Sequence, residues 1–144
     1  MFKRLREDQK GLTLIELLAV VVILGIIIAI AIPSISGIIE RQKVKAHDAN
    51  AAMVLDAAKM YYIDNPGQAI KGNSITLKGL TDGKYLDGIP KNPFTGKQYD
   101  GTTNKVDYAD GGELQVTLLS EVSGIDRDYK GATRADVLAD KYSK

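Results

Sequence analysis

The feature that most constrains this chain is a long apolar run. From Leu12 to Ile32 there are 21 residues, 15 of them Leu, Ile or Val, and Glu16 carries the only charge. At about 1.5 Å rise per residue, a helix of that length covers about 30 Å, the hydrocarbon thickness of a bilayer. Many of these residues are β-branched, which in water would favour a strand. In lipid a lone strand leaves its backbone hydrogen bonds unmade and a helix does not. The run is therefore expected to be a membrane helix over residues 12–33.

Glu16 is the anomaly within it. A carboxylate well inside the bilayer costs roughly 3 kcal/mol, whereas each Leu, Ile or Val returns roughly 0.3–0.6 kcal/mol, so the segment still inserts. The carboxylate either reaches the interface from near one end of the helix or needs a cation at its own depth. Glu is short for reaching the interface, and Lys or Arg do it better. A cut after Gly11 would give Leu12 a free α-amine, charged at neutral pH. That amine would lie one helical turn from Glu16, in reach of it within the chain or in a neighbour.

Lys10-Gly11-Leu12-Thr13-Leu14-Ile15-Glu16, followed by the apolar run with Gly25 and Pro33, closely resembles the class III signal of type IV pilins and pseudopilins. The resemblance covers residues 1 to about 64. It implies that a prepilin peptidase cuts after Gly11 on the cytoplasmic side and methylates the new N-terminal Leu12. Most members have Phe where Leu12 stands. It implies that Glu16 serves methylation and docks onto the N-terminus of a neighbouring subunit during assembly. It also implies that the Gly25-to-Pro33 segment loosens when subunits pack. Pro33 cannot donate to the carbonyl of Ala29 and crowds it, so a helix kink at Gly25 and Pro33 is expected from the residues as well.

The 144 residues are enough for one small domain beside the membrane segment. Nineteen Lys and Arg stand against eighteen acids, so no basic field marks the chain for nucleic acid, and the balance neither supports nor excludes DNA binding. Cysteine is absent, so an exported domain here relies on packing, hydrogen bonds or bound ions. The leader carries Lys3, Arg4, Arg6 and Lys10 against Glu7 and Asp8, an excess that places the N-terminus in the cytoplasm. The core is too long for a secretory signal, and Pro33-Ser34-Ile35 does not suit signal peptidase.

Beyond Ser34 the helical pattern continues. Ile35, Ile39, Ala46, Ala49, Met53, Ala57 and Met60 recur at intervals near three and four, and this stripe is expected to meet a sheet or other helices. Asn65-Pro66-Gly67 ends the helix. His47, the only histidine, has no second ligand nearby and reads as a surface residue. The segment Ile75–Leu80 fits a strand or a short helix, with Leu77 and Leu80 favouring a turn of helix. Gly83–Phe94 resembles the loop that follows the long helix in many pilins, with Tyr85, Leu86, Ile89 and Phe94 as its core anchors. Val106 and Tyr108, then Leu114, Val116 and Leu118, alternate about Asp110-Gly111-Gly112 as a β-hairpin. Asp126 to Tyr129 fit an edge strand. Thr133 with Asp136 starts a helix that has Ala135, Leu138 and Tyr142 on one face.

The expected fold is α+β, a long N-terminal helix packed against a small antiparallel sheet. Its parts are a removable leader (1–11), the membrane helix (12–33), an extracellular amphipathic half (34–65) and a head (66–144). Asp107, Asp110 and Glu113 are calcium candidates, as are the neighbouring Asp126 and Asp128. No EF-hand pattern supports them, and turns favour Asp in any case, so they read as solvated turn acids. No nucleophile–base pair, phosphate loop or zinc spacing marks an enzyme, and no cofactor is expected. The resemblance implies a structural subunit of a type IV pilus-like filament, or alternatively a major pseudopilin of a type II secretion or competence system. Its implied partners are copies of itself, the prepilin peptidase, and the assembly platform protein with its ATPase. The subunit would wait in the cytoplasmic membrane and end in an extracellular filament.

Overall fold

In the computed structural model, which describes residues 13–122 and 128–139, one helix dominates the chain: α1 runs from Leu14 to Asp64. It stops where the sequence tells it to. Asn65 precedes a proline, which disfavours a helical backbone, and Pro66–Gln68 form a short 3-10 turn. Pro33 lies inside α1 without ending it. Contacts divide the chain into two compact units, residues 1–40 and 41–144.

The described part of the first unit is the apolar length of α1. None of its most apolar stretch is buried within the protein, and Leu14, Ile15, Leu18 and Ile30 are among the most exposed side chains.

In the second unit, the part of α1 from Arg41 onward covers a four-stranded antiparallel sheet. The strands are β1 (Ser74–Thr76), β2 (Lys105–Tyr108), β3 (Leu114–Leu118) and β4 (Tyr129–Ala132), in the order β1-β2-β3-β4. The expected hairpin is present, with Val106 opposite Val116 and Tyr108 opposite Leu114. Its turn needs glycine: Gly112 has φ +85°, and a Cβ there would lie 3.2 Å from the Tyr108 hydroxyl oxygen. Ile75–Leu80 is both strand and helix, because β1 hands over at Thr76 to α2 (Leu77–Asp82), whose first turn the Thr76 hydroxyl caps. The final strand runs Tyr129–Ala132, later than the 126–129 read from sequence, and Asp126 lies outside the described residues. Helix α3 (Arg134–Leu138) opens with a capping box between Thr133 and Asp136. It buries Val137, while Leu138 stays exposed; Tyr142 lies outside the described residues.

The buried face of α1 is not the stripe that the periodicity picked out. His47, Ala51, Val54, Leu55, Ala58 and Tyr62 meet the sheet together with Ala57, whereas Ala46, Ala49, Met53 and Met60 are exposed. Against that face lie Leu77, Leu80, Val106, Val116, Leu118, Tyr129 and Ala132. His47 corrects the sequence reading most sharply. It is 1% exposed, its ring stacks on Tyr129 at 5.2 Å, and its Nδ1 lies 2.5 Å from the Tyr99 hydroxyl. The surrounding rings of Phe94, Tyr99 and Tyr129 make this a core histidine. The Lys91–Gln98 loop is held by Asn92, wholly buried, which donates to the Ser120 carbonyl at 2.6 Å and accepts from the Phe94 amide at 2.9 Å.

Two core tyrosines give the head an alkaline limit. Burial, with the nearby Tyr61, Asp107 and Tyr108, pushes Tyr62 up to about 12. Burial likewise pushes Tyr99 up to about 12, aided by Glu121 and Asp48 and opposed by a hydrogen bond with Asn50. A pKa raised on folding gives stability that is fully present below the unfolded value near 10 and is lost as pH rises toward 12. Tyrosinate absorbance is expected to show these two rings ionising near pH 12, together with loss of near-ultraviolet circular dichroism. Their ionisation at pH 10 with the fold intact would contradict their burial.

Candidate functional site

The start of α1 is built by a Thr-x-x-Glu pattern that was open to reading in the sequence and was not read there. Thr13 sits before the first helical residue, with Glu16 in the first turn. The Glu16 Oε2 accepts from the Thr13 amide at 2.8 Å and from the Thr13 hydroxyl at 2.9 Å, and the Glu16 amide lies 3.4 Å from the Thr13 hydroxyl oxygen. Side chain and backbone thus cap each other, satisfying donors that a helix N-terminus leaves unmade. A carboxylate here also faces the positive end of the helix dipole. The Glu16 Oε1 accepts no hydrogen bond among the described residues. Thr13 thus fixes one of the two carboxylate oxygens. Gly11 and Leu12, the expected cleavage and methylation positions, lie outside the described residues.

Gly25 and Pro33 lie within continuous helix. A Cβ added at Gly25 would meet nothing within 4 Å, so the glycine leaves an open notch on the surface. One turn past Pro33, the Ser36 hydroxyl lies 3.0 Å from the Ile32 carbonyl and 3.1 Å from that of Pro33. This is a serine bond back to the preceding turn, and it does not reach the Ala29 carbonyl that Pro33 leaves without its donor.

Three of the acids considered for calcium, Asp107, Asp110 and Asp128, stand in ion pairs. Asp107 pairs with Lys105 at 2.8 Å and Asp110 with Lys71 at 2.5 Å, while Glu113 stands just before β3. Asp128 accepts from the Ser120 amide and hydroxyl and lies 3.3 Å from the Lys130 amine. Burial alone would raise its pKa, but the Ser120 bonds and Lys130 outweigh that and hold it low. Among the described residues, no three acids or histidines stand together as a metal-binding group.

Residues 6–32 match the family described as the prokaryotic N-terminal methylation motif. The chain is 31% identical over 125 residues to the type IV major fimbrial protein FimA of Dichelobacter nodosus, covering 74% of this chain and 71% of that protein. It is 31% identical over 85 residues to the fimbrial protein EcpC of Eikenella corrodens, covering 59% and 56%. It is 38% identical over 60 residues to the type II secretion system core protein G of Pseudomonas aeruginosa, covering 42% of each. The match thus spans about half the length of the latter two relatives. No solved structure matches the chain.

Proposed function

This chain belongs to the type IV pilin and pseudopilin family, and from that premise we propose that it is a filament subunit processed after Gly11 and polymerised through its N-terminal helix. The observation that carries the proposal is the pairing of Glu16 with its surroundings. A carboxylate stands in the first turn of an otherwise apolar, unburied helix, with one oxygen held by Thr13 and the other accepting nothing among the described residues. Cleavage would set the Leu12 amine beside that oxygen, in the same chain or in the next subunit. A charge pair formed in a low dielectric is directional enough to register one subunit on another. The aliphatic surface of α1, which lipid covers in a membrane-held subunit, would then be covered by other copies of α1. Gly25 and Pro33 are the places where the helix most easily gives way during that packing.

In this reading the leader lies on the cytoplasmic side, and residues 66–144 become the outer surface of an extracellular filament. The prepilin peptidase and an assembly platform with its ATPase are the partners it requires. The chain acts as a structural part, with no catalytic role assigned to the head. The match to a type II secretion core protein favours a second reading, a pseudopilin whose shorter filament serves secretion or uptake. Deleting the gene separates the two: loss of sheared surface filaments fits the pilus, whereas loss of protein secretion with surface filaments unchanged fits the pseudopilus.

The processing step has its own test. Gly11→Val is expected to leave the 144-residue precursor uncut in the membrane and to remove the subunit from filaments. A peptidase that accepts only a residue without a side chain before the cut cannot use valine. A normally shortened Gly11→Val chain would place the cut elsewhere.

A further inference from the structure

Three cations follow the apolar length of α1 almost at once. After Ile38, Ile39 and Glu40 come Arg41, Lys43 and Lys45, with Arg41 and Lys45 exposed and Lys43 partly so. The described ion pairs of the head use Lys71, Lys78, Lys105, Lys130 and Arg134, and these three cations make none among the described residues. Arg41 and Lys45 are one helical turn apart and share a side of α1. The nearest acids, Glu40 and Asp48, offset two of the three charges and leave the group cationic, and Asp48 is tied to the Tyr129 hydroxyl at 2.5 Å.

The length of the apolar segment places these cations. From Leu14 to Ile39, inclusive, α1 has 26 residues. At about 1.5 Å each that is about 39 Å, roughly 9 Å more than the hydrocarbon core of a bilayer. With its first turn at one interface, the helix brings Ile38 and Ile39 to the headgroups of the other, and the cations come next. Cations at that level meet lipid phosphates, and they favour anionic lipids over zwitterionic ones.

We propose that Arg41, Lys43 and Lys45 form a collar that binds the phosphates of anionic phospholipid headgroups and fixes the depth of α1 while the subunit is held in the membrane. This rests on the membrane-held state proposed above. Its consequence reaches Glu16. With Ile39 pinned at one interface, Glu16 lies 23 residues back on the same helix. That separation, about 35 Å, puts it at the opposite interface rather than in mid-hydrocarbon. The carboxylate waits at the membrane edge where Leu12 is exposed by cleavage, and entry into a filament has to strip the collar from its lipids.

The test uses the full chain in vesicles. The protein has no Trp, so Ile39→Trp supplies a single indole at the proposed headgroup level. Its quenching is compared between brominated phosphatidylglycerol and brominated phosphatidylcholine, each at the same mole fraction in a phosphatidylcholine background. An enrichment of about fivefold is expected for each cation–phosphate contact, so the anionic lipid should quench several-fold better. High salt should shrink the difference, and R41Q/K43Q/K45Q in the same background should abolish it. Inorganic phosphate at constant ionic strength should leave it standing; if phosphate abolishes it, the cations serve a free anion and the lipid proposal falls. Equal quenching by both lipids, or a preference that survives the triple substitution, overturns the proposal. If the triple variant inserts normally and loses filaments without any lipid preference in the parent, the cations serve contacts between subunits instead, which also overturns it. A chain that fails to float with vesicles overturns the membrane-held reading itself, and the collar with it.

Discussion

Replacing Glu16 with Ala is expected to leave a cleaved, membrane-held subunit that no longer enters filaments. The cut after Gly11 does not involve the Glu16 side chain, so shortening should persist. Insertion should be at most slightly easier, because a carboxylate at the membrane edge carries only a fraction of the roughly 3 kcal/mol it would cost at the bilayer centre. Assembly should suffer for the opposite reason. The Leu12 amine of an incoming subunit would be drawn into an apolar surround without its counter-charge. Stranding one member of a buried pair costs about 3–5 kcal/mol, or two to four decades in an association constant. Thr13→Val should be much milder. It removes the hydroxyl bond at 2.9 Å but keeps the amide bond at 2.8 Å, a loss of about 1 kcal/mol at the helix cap. Measured by shearing and weighing filaments against membrane-held subunit, Glu16→Ala alone should give none. Wild-type yields from it would reduce Glu16 to a helix cap.

The second large effect separates two adjacent residues on opposite faces of α1. Val54 is fully buried against the sheet, whereas Met53 is 43% exposed. Val54→Asp places a carboxylate in a core with no cation to receive it. The protein must either protonate that group or give up the packing, at more than about 4 kcal/mol. For a head near a hundred residues, which has about 5–15 kcal/mol of stability in total, that is enough to lower the melting temperature by more than about 16 °C. Met53→Asp should shift it by only a few degrees in the full chain kept monomeric in detergent. The comparison is direct, because the exposed stripe of Ala46, Ala49, Met53 and Met60 is the one whose spacing fits a core face. If Met53→Asp unfolded the head and Val54→Asp did not, the orientation of α1 would be wrong.

That stripe shows where sequence reasoning ran out. The apolar run was legible because insertion follows composition, and no tertiary contact competes with it. The hairpin was legible because Val106, Val116 and Leu118 alternate about a turn that needs glycine. The buried face of α1 was not, because the helix is apolar on two sides. Ala51, Val54, Leu55, Ala58 and Tyr62 form one side, Met53 and Met60 belong to the other, and periodicity cannot say which meets the sheet. His47 was misplaced for a related reason. Its partners Phe94, Tyr99 and Tyr129 come from segments far along the chain, so nothing within a helical window announces the aromatic pocket. The N-terminal site was legible in its charge but not in its geometry, since the reading looked for a cation in the Leu12 α-amine and passed over Thr13 three residues away. The partners of the calcium candidates were unevenly legible: Lys105 stands two residues from Asp107 on β2, whereas Lys71 pairs with Asp110 across 39 residues that spacing alone does not join.

What Glu16 faces in the assembled state depends on where the mature chain begins. The most direct measurement is the intact mass and N-terminal fragment spectrum of the subunit recovered from sheared filaments. The expected subunit is the 144-residue chain less its first eleven residues, beginning at Leu12 and heavier by one methyl group on the α-amine. A filament subunit beginning beyond Glu16, or one that retains residues 1–11, would contradict the account, because neither could set a Leu12 amine against the Glu16 carboxylate.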